Sequence, residues 1–235
     1  MITFYGTGPA FGLPHASPFA IKTEVLLKMS GVEYRSARAD IRKAPRGKLP
    51  WIDDGGKIVT DSRMIRHHLE TVHGADFSGG YDREPQGIGL AVERLCEDHL
   101  YWINVDNRWL RPENFARGPV HFFKQVPALI RPMVKARILS RLRAALYGQG
   151  TGRLEPEEKR HLVGLGVNAV ADIMGDNAYL LGPRPAGADA TVYGFLASLE
   201  SPFFDTPYGE MVRARPNLTA YLARMRSEYF PDHSV

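Results

Sequence analysis

Apolar residues recur along this chain with two different periods, and the change from one to the other falls near residue 75. Ile2 to Tyr5 reads as a short strand. From Pro18 to about Met29, Ile21, Val25 and Met29 return every fourth residue with Leu26 beside them, the spacing of an amphipathic helix. Gly31 then stops it, as glycine does at a left-handed C-cap. Tyr34 to Ala39 is a second strand. Trp51–Asp53 and Lys57–Thr60 flank Asp54-Gly55-Gly56, and an Asp-Gly between two β-like runs predicts a hairpin. A helix follows from Ser62 to about Val72. The order β-α-β-β-β-α predicts an α/β half built on a mixed sheet.

Beyond that point every pattern is helical. His73 to Gly87 is rich in Gly and Asp and reads as a connection. The expected division is 1–76 for the α/β part, 77–87 for a linker and 88–235 for an all-helical part. Ile88, Val92, Leu95, His99 and Trp102 mark one long helix. Val134, Ile138, Leu142 and Leu146 line one face of another, with Arg131, Lys135, Arg137, Arg141 and Arg143 around them. Pro156 with Glu157 and Glu158 opens the next in the favoured order, followed by Val163, Val167, Val170 and Met174. Val192, Phe195, Leu196 and Leu199 mark a further helix, and Leu218, Tyr221, Leu222 and Met225 the last.

Composition narrows the function without naming it. Thirty basic against 26 acidic residues give a net charge of +4, compatible with small anionic ligands and far below a nucleic-acid-binding signature. No apolar run approaches the ~18 residues of a spanning helix. The opening Met1-Ile2-Thr3-Phe4-Tyr5-Gly6 lacks the basic and apolar regions of a signal peptide. The single cysteine, Cys96, fits a reducing compartment, so a cytoplasmic location is expected.

Three short segments could carry chemistry. Ser17-Pro18-Phe19 opens the first helix: Ser17 could simply cap it, or its hydroxyl could hydrogen-bond a thiolate held at the positive helix end. Lys48-Leu49-Pro50-Trp51 leads into the hairpin. A cis bond at Pro50 would turn the backbone of Leu49 outward, free to pair with an extended peptide, although a rigid strand entry explains the same residues. Asp61-Ser62 starts the second helix. Either residue could cap it, or Asp61 could hold an α-ammonium while Ser62 and the helix amides hold a carboxylate.

In this order these segments resemble the glutathione transferases. Ser17-Pro18-Phe19-Ala20 is similar to the Ser-Pro-Phe motif of the tau and omega classes, Leu49-Pro50 to the family's cis-proline step, and Asp61-Ser62 to its acidic-Ser pair. Tyr179 to Thr191, with Asp189 as a buried capping acid, is similar to the segment opening a conserved helix of the second half. Trp102, Arg108-Trp109 and Gly148-Gln149-Gly150-Thr151-Gly152-Arg153 resemble the failed-axon-connections and metaxin-related branch. The resemblance implies a thioredoxin-like N-terminal domain and an all-α C-terminal domain. It further implies conjugation of reduced glutathione, as co-substrate, to an apolar electrophile, with Ser17 stabilising the thiolate rather than acting as nucleophile. Phe19, Lys48, Leu49, Pro50, Asp61 and Ser62 would bind glutathione, and a homodimer is expected. The metaxin-like segments imply the rival: a non-catalytic binding or adaptor protein that keeps the fold.

Two departures stand out. Gly6 to Ala16 is longer than the tau and omega pattern, so this loop could cover the site, and Ala186 stands where the family has a capping Ser or Thr. Other signals lead nowhere. Gly6-Thr7-Gly8 lacks the third glycine of a dinucleotide fingerprint, since Phe11 stands there. His67, His68 and His73 show no partner spacing for a metal, and none is expected. Tyr5 could replace Ser17 but sits within a strand, and Cys96 reads as a buried apolar thiol.

Overall fold

Gly55 and Gly56, at φ of 59° and 95°, reverse the chain as only glycine does without strain, and so set the register of a hairpin. That hairpin is β3 (Trp51–Asp54) and β4 (Lys57–Thr60), with Trp51 opposite Thr60 and Asp54 opposite Lys57. The computed structural model describes residues 1–233. The last two residues of the expected helical part, 234–235, lie outside it.

Strand β1 (Ile2–Gly6) pairs antiparallel with β3 and parallel with β2 (Tyr34–Arg38), giving a mixed four-stranded sheet of order β2-β1-β3-β4. Parallel neighbours need a crossover, which α1 (Pro18–Ser30) supplies; Gly31 ends it at φ 68°, its N–H donating to the Lys28 carbonyl. α2 (Ser62–His73) follows the hairpin. The sheet and both helices reproduce the pattern read from the sequence to within a residue or two.

The rest is helical. α3 (Arg83–Arg94) starts five residues before Ile88 and runs without a break through a π-helical turn, Leu95–Leu100, into α4 (Tyr101–Leu110). The long helix expected over this region is thus present, with an inserted residue's worth of slack that periodicity does not reveal. There follow α5 (Pro112–Arg117), α6 (Arg131–Gln149), α7 (Pro156–Met174), α8 (Gly187–Glu200), α9 (Pro207–Arg213) and α10 (Pro216–Tyr229). Val163, Val167, Val170 and Met174 of α7 are buried, as are the marked residues of α8 and α10. α6 differs: Leu146 alone is buried and Ile138 stays exposed, because little besides α4 and the turn after α6 packs on it.

The two halves meet where α8 crosses α1. A Cβ on Gly194 would come within 2.7 Å of the Pro18 carbonyl oxygen, so only glycine admits this approach, and the start of α1 is fixed by it. Asp189, in the first turn of α8 and fully buried, accepts with its carboxylate from the amides of Leu180 and Ala186 at 2.9 Å. Ala186 has no side-chain acceptor to complete the reciprocal bond. Burial raises the Asp189 carboxyl to about 6 despite these donors.

Candidate functional site

The register of the sheet gathers the three segments at one end of its strands. Tyr5, near the end of β1, lies opposite Trp51 at the start of β3, and Trp51 lies opposite Thr60 at the end of β4. The chain leaves β1 toward Ser17, enters β3 from Leu49-Pro50 and leaves β4 into Asp61-Ser62. Neighbouring strands stand ~4.8 Å apart, so the outermost of these exits are separated by about 10 Å. An extended tripeptide spans about the same.

Ser17 takes the N-cap position of α1 with extended backbone, yet its side chain makes no capping bond. The hydroxyl is left half-buried and without a protein partner among the described residues, at a helix end with no acidic residue in its first turn. The Ser17 amide donates to Thr7 Oγ1 at 3.3 Å.

The Leu49–Pro50 peptide is cis. Pro50 is buried and Leu49 half-buried, and neither backbone group of Leu49 takes a turn or loop hydrogen bond among the described residues. Lys48 is exposed. Asp61 holds φ at 75°, one of two non-glycine residues with positive φ among the described residues, a conformation that costs energy and persists where the surroundings impose it. Its Oδ1 caps α2 by accepting from the Arg63 amide at 2.9 Å and from Arg63 Nε at 3.4 Å, while Oδ2 takes no hydrogen bond among the described residues. Ser62 is buried, and its hydroxyl makes no hydrogen bond among the described residues. Phe19 is placed differently: its ring packs on Tyr101 and Phe195 at 4.9 and 5.1 Å, in an aromatic cluster facing the helical half. Tyr5 stacks on Trp51 at 4.8 Å.

The long loop before Ser17 is tied down rather than free. His15 Nδ1 accepts from the Gly8 amide at 3.0 Å and its Nε2 meets Glu24 at 2.6 Å. Ser201 donates to the Phe11 carbonyl at 2.7 Å, and the Phe11 ring lies among Phe122, Phe203 and Phe204. The backbone carbonyl of Ala16 accepts from Arg108.

The histidines gain a partner that spacing along the chain did not show. Asp54 Oδ2 lies 2.8 Å from His68 Nε2 and 2.7 Å from His73 Nε2. The three ligand atoms lie within 4.8 Å of one another and could hold a metal ion, and the hydrogen bonds also account for them in full. Asp54 comes from the hairpin turn and the histidines from α2, so only the fold brings them together. Two cavities, of about 460 and 350 Å³, lie elsewhere; none of the seven residues expected at the site lines either.

Residues 18–114 match the family described as glutathione S-transferase N-terminal domain, and residues 166–225 the glutathione S-transferase C-terminal domain. The chain is 30% identical over 241 residues to isoprene-epoxide–glutathione S-transferase of Rhodococcus sp. (strain AD45), covering 97% of this chain and 99% of that protein. It is 25% identical to Failed axon connections of Drosophila melanogaster over 94% of this chain, which spans 56% of that protein's length. Metaxin-1 of Bos taurus is 26% identical over 80% of this chain. In fold it is similar to a beta-etherase from Sphingobium sp. strain SYK-6, with a TM-score of 0.67 at 19% identity over 98% of this chain and 99% of that one. A Nilaparvata lugens delta-class glutathione transferase gives 0.61 at 16%, over 99% of this chain and 94% of that one. A thioredoxin-like mixed sheet followed by helices, both matched domains and a relative alike from end to end lead to one conclusion: this chain belongs to the glutathione S-transferase family.

Proposed function

We propose that this protein binds reduced glutathione across one end of the strands of its sheet and conjugates it to a small apolar electrophile. The observation that carries the reading is the Ser17 hydroxyl, left without a capping bond at the positive end of α1. A thiolate placed there receives one hydrogen bond from the serine and the field of the helix terminus, and both favour the charged sulfur. Leu49, with both backbone groups free, pairs with the cysteinyl unit. The free Oδ2 of Asp61, with Ser62 and the first amides of α2, takes the γ-glutamyl end, and Lys48 balances a carboxylate. Phe19 contributes through packing rather than direct contact.

The named activity of the Rhodococcus relative supports an epoxide as the electrophile. The thiolate sulfur attacks a ring carbon, the carbon–oxygen bond breaks, and the resulting alkoxide takes a proton from water. The division into residues 1–76 and 88–235, a homodimer and a cytoplasmic location go with this reading. Likeness to Failed axon connections and Metaxin-1 favours the second, an adaptor that keeps the fold without turnover.

Calorimetric titration with reduced glutathione separates the two. The first reading expects saturable binding in the micromolar to low-millimolar range, weakened about tenfold or more in Asp61→Ala as one charged hydrogen-bonded contact is lost. Absence of heat at high millimolar glutathione contradicts it and leaves the adaptor.

A further inference from the structure

Arg108, in the segment that resembles the metaxin-related branch, has a use that neither cap nor core packing explains. It sits on α4, buried to 5% exposure, and no carboxylate pairs with it among the described residues. Its Nη1 donates to the Ala16 carbonyl at 3.3 Å and its Nη2 to the Ser198 carbonyl. Its Nε is buried with no partner. The guanidinium lies over the rings of Phe204 and Phe11, 4.5 and 5.7 Å from their centres. Burial lowers it to about 9, with the nearby Tyr101 phenol acting slightly the other way, so it remains a cation at neutral pH.

A buried cation without a counter-ion is costly, and its field is not cancelled by a neighbour. The place of this one is specific. Ala16 C=O and Ser17 N–H belong to a single peptide group, and that group is held at both ends: its oxygen by Arg108, its N–H by Thr7 Oγ1. The orientation of Ser17 is therefore set from behind by α4, with a positive charge one peptide away.

We propose that Arg108 is the positioning residue of the thiol site: it fixes the Ala16–Ser17 peptide and supplies the uncompensated positive charge that holds bound glutathione as its thiolate. This rests on the glutathione reading above and adds to it a source of charge from the helical half. Tyr101 is the other titratable group acting on Arg108, while His15, in the same loop, is engaged by Glu24.

The test compares wild type with Arg108→Gln, which keeps a donor for one carbonyl but no charge, and Arg108→Lys, which keeps the charge. Glutathione binding is read by calorimetry, and the bound thiol is titrated by the ultraviolet absorbance of its thiolate. Arg108→Gln is expected to raise the pKa of the bound thiol by about one unit, with binding retained; Arg108→Lys is expected to leave it near the wild-type value. An unchanged titration in Arg108→Gln, or equal rises in both variants, overturns the proposal and makes Arg108 a structural prop. If Arg108→Gln does not fold, Arg108→Lys decides: a wild-type titration is required, and a rise of about one unit in the folded protein overturns the proposal. No binding to wild type overturns the glutathione reading and this proposal together, whereas binding with an unaffected thiol overturns this one alone.

Discussion

Two buried cations sit at the junction of the halves, and they are handled in opposite ways. Lys22 of α1 is fully buried, yet its Nζ meets Glu93 at 2.9 Å and Glu97 at 2.6 Å. Arg66 and Arg94 take the outer oxygens of the same carboxylates, and Thr191 donates to Glu93 at 2.7 Å. Burial alone would raise the Glu93 carboxyl, but Lys22 and Arg66 more than offset it and hold it below the ordinary range. Each carboxylate there is paired with cations on both oxygens, although Nε and Nη1 of Arg94 are buried without a hydrogen-bond partner among the described residues. Arg108, by contrast, meets only carbonyls and aromatic faces. The first cluster, which joins α1 to α3 and the π-turn, balances its charges internally, whereas the cation behind Ser17 has no counter-ion among the described residues.

The largest effect is expected at Lys22. Lys22→Met leaves two buried carboxylates facing each other across the vacated position, and removing one partner of a buried ionic pair costs about 3 to 5 kcal/mol. For a chain of this size that lowers Tm by roughly 6 to 20 °C, measurable by calorimetric melting. Arg108→Met is expected to lose clearly less, because the desolvation cost of the unpaired charge leaves with the side chain. Equal losses would mean that both cations serve the fold alone.

The smallest effect lies at Asp54, away from the junction. Its carboxyl is lowered from 3.8, first by the hydrogen bond from His68 and, opposed by partial burial, also by His73. A carboxyl whose folded pKa is depressed contributes stability that is present above its unfolded value and is lost as pH falls through the folded one. Asp54→Ala should therefore melt slightly below wild type at pH 7, and the two curves should converge below about pH 3.8. A gap that persists in acid would assign the loss to packing. At neutral pH, Zn²⁺ that raises the melting temperature of wild type and not of Asp54→Ala would show that the three residues act as a metal site.

What was legible in the sequence was local. The Asp54-Gly55-Gly56 turn, the Ser-Pro helix start and the Leu49-Pro50 step each depend on a few adjacent residues whose φ or donor chemistry is restricted, and each stands where the pattern put it. Residues of α7, α8 and α10 spaced at helical period are buried as expected. What was hidden depends on partners far along the chain. Asp54 and His73 are 19 residues apart, Lys22 and Glu97 are 75 apart, and Arg108 and Ala16 are 92 apart. The π-turn at Leu95–Leu100 escapes because one extra residue shifts a helical stripe without erasing it. The apolar stripe of α6 predicts a buried face as well as any other, and mere periodicity does not say whether a neighbour covers it. Phe19 read as a ligand contact from its motif, while its ring answers to Tyr101 and Phe195.

Whether Ser17 holds glutathione as a thiolate is read from the thiolate absorbance of glutathione bound to wild type and to Ser17→Ala. Wild type is expected to show the thiolate band below the ~8.5 at which an ordinary thiol is half ionised. In Ser17→Ala the band should move toward that value by roughly one to two units, the worth of one hydrogen bond to a charged sulfur, with glutathione still bound. Identical titrations in the two proteins, with glutathione bound to both, would contradict that role for Ser17.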